Sequence, residues 1–217
     1  MHLKDIKAVI FDLDGVIVST DDCHYEAWKQ LADQQGIYFD RKINERLRGV
    51  SRMESLEILL ERAGRAYTQD EKLAMATEKN EVYKQLVMKI TPDAILPGAL
   101  HTLKALRAKG ILLAIGSSSK NTPVILQQIG LGGFFDAVAD GNHIKNSKPD
   151  PEVFLLAAEL LKLPAENCLV VEDADAGVEA ALNGNMRVLG VGFAARNKKA
   201  TITADSLKDI DLAALIV

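Results

Sequence analysis

Residues 7–17 read KAVIFDLDGVI. Ala8, Val9, Ile10 and Phe11 form a continuous apolar run, the pattern of a strand covered on both faces. The run ends on two carboxylates, Asp12 and Asp14, with Gly15 behind them. Buried charge is costly unless something compensates it, so partners for these carboxylates must come from elsewhere in the chain. Taken alone, D-L-D-G reads as a turn.

Further short apolar runs follow at 111–116 (ILLAIG), 135–140 (FDAVAD), 168–173 (CLVVED) and 187–192 (RVLGVG). Between the later runs lie helix-length amphipathic segments at 98–110, 122–133, 150–163 and 175–185. Pro123 and Pro151 are placed for first helical turns, and Gly110 and Gly184 for helix ends. This alternation predicts an α/β fold, a Rossmann-like parallel sheet wrapped on both faces. Residues 18–92 break the pattern and show no strand. Instead there are helical segments at 19–36, at 51–64 with a Ser51/Glu54 capping box, and at 68–90 with a Thr68/Glu71 box. The expected organisation is an α/β core of residues 1–17 and 93–217, interrupted by a helical cap of residues 18–92.

The 217 residues are 48% hydrophobic with a formal net charge of −4, and the pI is near 5.6. That balance argues against a nucleic-acid partner, which requires a basic face. No apolar run approaches the ~20 residues of a membrane helix, and MHLKDIK lacks the apolar segment of a secretory signal. Cys23 and Cys168 are too few for a disulfide framework or zinc cluster. A cytoplasmic, monomeric protein with reduced thiols and small-molecule substrates is expected.

In an open parallel sheet, ligands bind beyond the carboxyl ends of the strands. The first strand delivers Asp12 and Asp14 there. The second delivers Ser117, Ser118, Ser119, Lys120 and Asn121, and the fourth Glu172 and Asp173; the loop before the helix at 151 adds Lys148. One carboxylate of a pair can act as nucleophile while the other moves a proton. Four carboxylates call for a hard cation such as Mg²⁺. A Ser/Asn-rich loop entering a helix offers hydroxyls and N–H groups to a phosphate, and a lysine offsets charge on a transferring group. Singly, each has a plain reading: an N-cap at Asn121 or Thr122, a helix-dipole partner at Glu172-Asp173, a solvated Lys148. Their succession at strand ends favours a site. Gly190-x-Gly192-x-x-Ala195 matches a loose dinucleotide fingerprint, but too little chain follows it for the usual βαβ unit.

These residues, in this order, resemble the signature of the haloacid dehalogenase superfamily: D-x-D-G, then Ser/Thr, Lys and an acidic pair. FDLDGVI, NERLRGVSR, GSSSKN and SKPDPEVF are more narrowly similar to the β-phosphoglucomutase family. The resemblance implies that Asp12 is the nucleophile carrying a phosphoryl group and Asp14 the general acid/base. It implies one Mg²⁺ per chain, held by Asp12, the Asp14 main-chain carbonyl, Glu172 and Asp173. Ser117 and Lys148 would contact the transferring phosphoryl group and His24 would assist the acid/base. Arg52 would grip the non-reacting phosphate, with Ser119, Lys120 and Asn121, and Ser118 would also bind substrate. Lys79 and Trp28 would lie near the sugar, although by pattern alone Lys79 reads as solvated and Trp28 as cap packing. The implied activity interconverts β-glucose 1-phosphate and β-glucose 6-phosphate, with β-glucose 1,6-bisphosphate as intermediate and activator. Three positions depart from that family's usual pattern: Ala174 where a Ser often follows the acidic pair, Ser19 for an Asp, and Met53 for an acid. The alternatives are a sugar-phosphate phosphatase using the same residues and, remotely, a receiver-type phospho-acceptor domain. A receiver would be shorter and lack the helical insertion.

Overall fold

β1 (Ala8–Phe11) lies inside a six-stranded parallel sheet, and every one of its residues is fully buried. The computed structural model describes residues 3–47 and 50–216; Arg48 and Gly49, within the NERLRGVSR segment, lie outside the described residues. After β1 come α1 (Asp21–Gln34), α2 (Arg41–Glu45), α3 (Arg52–Leu60) and α4 (Gln69–Val87). The alternating part follows: α5 (Ala99–Ala108), β2 (Leu112–Gly116), α6 (Thr122–Gln128), β3 (Ala137–Ala139) and α7 (Glu152–Leu160). It continues with β4 (Cys168–Glu172), α8 (Asp175–Asn183), β5 (Arg187–Gly190), β6 (Ile202–Thr203) and α9 (Leu212–Leu215).

The strand order is β3-β2-β1-β4-β5-β6, with Ala8 level with Leu112 on one side and Cys168 on the other. Side chains alternate across the sheet. Val9 and Phe11 pack with Leu103 and Leu106 of α5 and Ile125 of α6. Ala8 and Ile10 pack with Phe154 of α7 and Val178 of α8. The order reverses direction between β1 and β4, so a crevice opens beyond their carboxyl ends. Asp12 follows β1 there, and Glu172 closes β4.

The helices after β1 build a separate apolar cluster from Trp28 and Leu31 of α1, Ile43 of α2, Leu56 and Leu59 of α3, and Met75 and Ala76 of α4. Both capping boxes form. Ser51 accepts from the Glu54 N–H while Glu54 accepts from the Ser51 N–H. Thr68 and Glu71 do the same. The last turns of α4 leave this cluster: Tyr83 and Val87 join the sheet's own core. The two chain passages between the halves run side by side, with Val18 bridged to Asp14 and to Ile95. Three elements have no counterpart in the sequence reading: α2, β6 and the four-residue α9. α2 is a single turn capped by Asp40, whose side chain accepts from the Ile43 N–H, and β6 has two residues at the sheet edge. No helix among the described residues is long and apolar enough to cross a membrane.

Candidate active site

A cavity of about 500 Å³ lies beyond the carboxyl ends of β1, β2 and β4, with α1, α3 and α4 on its far side. Its wall contains all the residues singled out from the sequence: Asp12, Asp14, Ser117 to Asn121, Lys148, Glu172 and Asp173 from the sheet side. His24, Trp28, Arg52 and Lys79 face them from the helices.

The first strand's charges find a partner in Lys148. This buried lysine donates to Asp12 Oδ1 and to Glu172 Oε1, each at 2.5 Å, with its ammonium 4.6 Å from the centre of the Phe154 ring. Burial works against its charge, but Asp12 and Glu172 more than offset this and hold it protonated above the ordinary lysine value. Lys148 is therefore neither solvated nor free. Burial pushes Asp12 up to about 7, against the pull of Lys148 and with Glu172 adding repulsion. Two glycines make room for the acids. A Cβ on Gly15 (φ +81°) would fall 2.0 Å from Asp173 Oδ2, and one on Gly177 would fall 2.0 Å from the Glu172 carboxyl carbon. Glu172 also accepts from the Ala174 N–H at 2.9 Å.

The loop after β2 is held by its own hydroxyls. Ser117 Oγ accepts from the Ser119 N–H and Ser119 Oγ from the Asn121 N–H, both at 3.2 Å. Asn121 occupies the N-cap position of α6 but does not cap it with its side chain. Its amide instead donates to Asn80 Oδ1 of α4 at 3.1 Å. The Ser118 hydroxyl and the Asn44 side-chain carbonyl, both in the cavity wall, find no partner among the described residues.

Asp14 sits at the passage into the helices. Its Oδ1 accepts from Thr20 twice, from the N–H at 2.9 Å and from the hydroxyl at 2.5 Å, and Thr20 Oγ1 lies 3.0 Å from the Tyr83 hydroxyl. Burial raises Asp14 to about 6 against these hydrogen bonds. His24 Nε2 is 3.9 Å from Asp14 Oδ2, and its Nδ1 is 2.9 Å from Lys79 Nζ. Which of Lys79 Nζ and His24 Nδ1 donates depends on the imidazole tautomer.

Lys79 corrects its pattern-based reading. It is 3% exposed, its ammonium lies 4.7 Å from the Trp28 ring centre and 4.6 Å from that of Tyr83, and burial with Arg52 nearby lowers it to about 7. α4 carries charge on most faces, so its inward face cannot be told from its charge pattern. Trp28 both packs in the helical cluster and lines the cavity. Arg52 opens α3, where the helix dipole disfavours a cation. Burial lowers its pKa, against the pull of the Glu81 carboxylate. Such a cation fits an anionic ligand.

The model of haloacid dehalogenase-like hydrolases matches residues 6–185. The chain belongs to that family. Over 189 residues it is 43% identical to a Bacillus subtilis protein named β-phosphoglucomutase, covering 86% of this chain and 84% of that one. It is 32% identical over 206 residues to a Thermotoga maritima phosphorylated carbohydrates phosphatase, 93% of each chain. A solved β-phosphoglucomutase from Clostridium difficile superposes with a TM-score of 0.90 at 42% identity, over 97% of this chain and 95% of that one.

Members of this haloacid dehalogenase-like family are generally Mg²⁺-dependent, and the residues here fit such an ion by donor chemistry. Buried Asp12 and Glu172 bind the Lys148 ammonium, and buried Asp173 stands next to Glu172 in the cavity wall. These donors are the hard oxygens Mg²⁺ prefers. Among the described residues no three such side chains already converge as ligands. Glu172 is engaged by Lys148 and the Ala174 N–H, yet a carboxylate oxygen has more than one lone pair to give.

Thr20, Tyr83, Asn80 and Asn44 were not singled out from sequence. Thr20 and Tyr83 carry no motif. Asn80 follows Lys79 on the same helix, a neighbourhood that signalled nothing without the fold.

Proposed function

We propose that the chain is a Mg²⁺-dependent phosphosugar mutase that interconverts β-glucose 1-phosphate and β-glucose 6-phosphate. The observation that carries this reading is the pair of phosphate-suited regions sharing one cavity. Asp12, Lys148 and Ser117 form one; Arg52 and the loop from Ser118 to Asn121 form the other. A mutase has to hold two phosphates at once. The 43% identity to a β-phosphoglucomutase supports the same choice.

In this reading residues 18–92 act as a cap over a core of 1–17 and 93–217. Mg²⁺, held by Asp12, Asp173, Glu172 and the Asp14 main-chain carbonyl, would supply charge neutralisation at the phosphoryl group. Lys148 and Ser117 orient that group on Asp12. Asp14 takes the proton from the accepting sugar hydroxyl as the bond from phosphorus to Asp12 breaks and the bond to the sugar oxygen forms. The resulting β-glucose 1,6-bisphosphate turns over in the cavity. Its other phosphate passes to Asp12, and Asp14 returns the proton to the oxygen left behind. A carboxyl raised to about 6 suits both directions near neutral pH. Asp14 is bonded to Thr20 in this structure, so this step requires it to exchange Thr20 for the sugar hydroxyl.

A second reading has support in the 32% identical carbohydrate phosphatase: the same residues with water as acceptor. Enzyme, Mg²⁺, β-glucose 1-phosphate and a trace of bisphosphate should be assayed for glucose 6-phosphate and free phosphate in parallel. The mutase reading expects isomerisation to outrun phosphate release; the reverse would establish the phosphatase.

A further inference from the structure

Helix α4 touches both halves of the site. Asn80, 8% exposed, accepts through Oδ1 from the side-chain amide of Asn121, so the helical half is bonded directly to the loop after β2. One residue earlier, Lys79 bonds His24. One turn later, the Tyr83 hydroxyl lies 3.0 Å from Thr20 Oγ1, which bonds Asp14. A side-chain amide nitrogen has two hydrogens in one plane. With one of them given to Asn80, the orientation of the Asn121 amide and the direction of its second N–H are set. The Asn121 main chain is fixed separately, through its N–H to Ser119 Oγ.

We propose that Asn80 is a positioning residue. It orients Asn121 toward the non-reacting phosphate and, through α4, couples occupancy of that subsite to Lys79 and Tyr83 around Asp14. The inference rests on the reading above that the Ser118–Asn121 loop binds this phosphate. An Asn pair that merely satisfies two buried amides would stabilise the fold without acting through the ligand, and the two roles separate experimentally. Trp28 is the chain's single tryptophan and has the Lys79 ammonium over its ring, so its emission reports on α4.

The full chain with Mg²⁺ is titrated with inorganic phosphate, by calorimetry and by Trp28 emission, as wild type, Asn80→Ala, Asn121→Ala and the double variant. Melting curves confirm folding, and Asn80→Leu, which removes the acceptor but keeps the volume, replaces Asn80→Ala should the latter unfold. The proposal expects each single substitution to weaken phosphate about three- to tenfold, the range for one neutral hydrogen bond. The double variant should bind no more weakly than the weaker single one, and the emission change should disappear in Asn80→Ala at saturating phosphate. Wild-type affinity in Asn121→Ala would sink the loop's phosphate role, and the inference with it. A loss at Asn121 with none at Asn80, multiplied losses in the double variant, or phosphate binding to wild type without an emission change would each overturn the positioning role alone.

Discussion

Asp14 holds its two strongest hydrogen bonds with a single residue, Thr20, yet burial leaves its carboxyl near 6. Asp14→Asn keeps the shape and the acceptor oxygen but cannot carry a proton. It should lower turnover by roughly 10²–10⁴, the usual share of a general acid/base, with the fold intact by circular dichroism. The raised value also has a thermodynamic consequence. Between its ordinary 3.8 and about 6 the folded chain holds a proton on Asp14 that the unfolded chain has released, so stability falls as pH rises through this window. The stabilising contribution is fully present below pH 3.8 and lost above about 6. In metal-free protein, wild type should therefore lose on the order of 3 kcal/mol relative to Asp14→Asn over that range, measured by denaturant titration at each pH. A flat difference would mean that Asp14 is not desolvated. Arg52 lies in the cavity wall, and its planar fork suits phosphate. Arg52→Ala should raise KM by roughly 10- to 100-fold, the value of a charge-assisted hydrogen bond, and Arg52→Lys should recover only part of it. An unchanged KM in steady-state assays would remove Arg52 from the binding site.

At the scale of elements, most of the fold was legible because each segment states its own period and ends. β1 is apolar on both faces and is covered on both faces. The Ser51/Glu54 and Thr68/Glu71 boxes start α3 and α4 where their residues stand. Ser51→Ala should cost about 1 kcal/mol, and a cost of that size lowers the melting temperature of a chain this long by about 2–4 °C, readable by calorimetry. α2, β6 and α9 were missed because helices of five and four residues and a two-residue strand are too short to show a period. Nothing local marked Gly177 either, since its meaning is the Glu172 carboxyl that occupies the space of its missing side chain. Gly177→Ala leaves α8 a better helix former but pushes Glu172 aside. Mg²⁺ affinity by calorimetry should drop several-fold without loss of helix content; unchanged affinity would separate Glu172 from the ion.

Across the whole molecule, the site was readable because a parallel sheet sends its strand ends to one edge. Asp12, Ser117, Lys148 and Glu172 could therefore be gathered from four separate stretches. What could not be read is how the two halves meet. The Asn80–Asn121 and Thr20–Tyr83 contacts join positions 41 and 63 residues apart, and no periodicity relates them. The inward turn of Lys79 was hidden for the same reason. These contacts bring the helices over the carboxylates; in the proposed mechanism, excluding water there would decide whether a phosphoryl group on Asp12 reaches sugar or solvent. The most direct measurement is a chase. Enzyme is charged with radiolabelled phosphate from β-glucose 1,6-bisphosphate, the label is located by acid quench and peptide mapping, and β-glucose 1-phosphate is then added. The account predicts label on Asp12 that passes into sugar bisphosphate on addition of β-glucose 1-phosphate, much faster than it decays in buffer. Label leaving as free phosphate at the same rate with and without the sugar phosphate would contradict it.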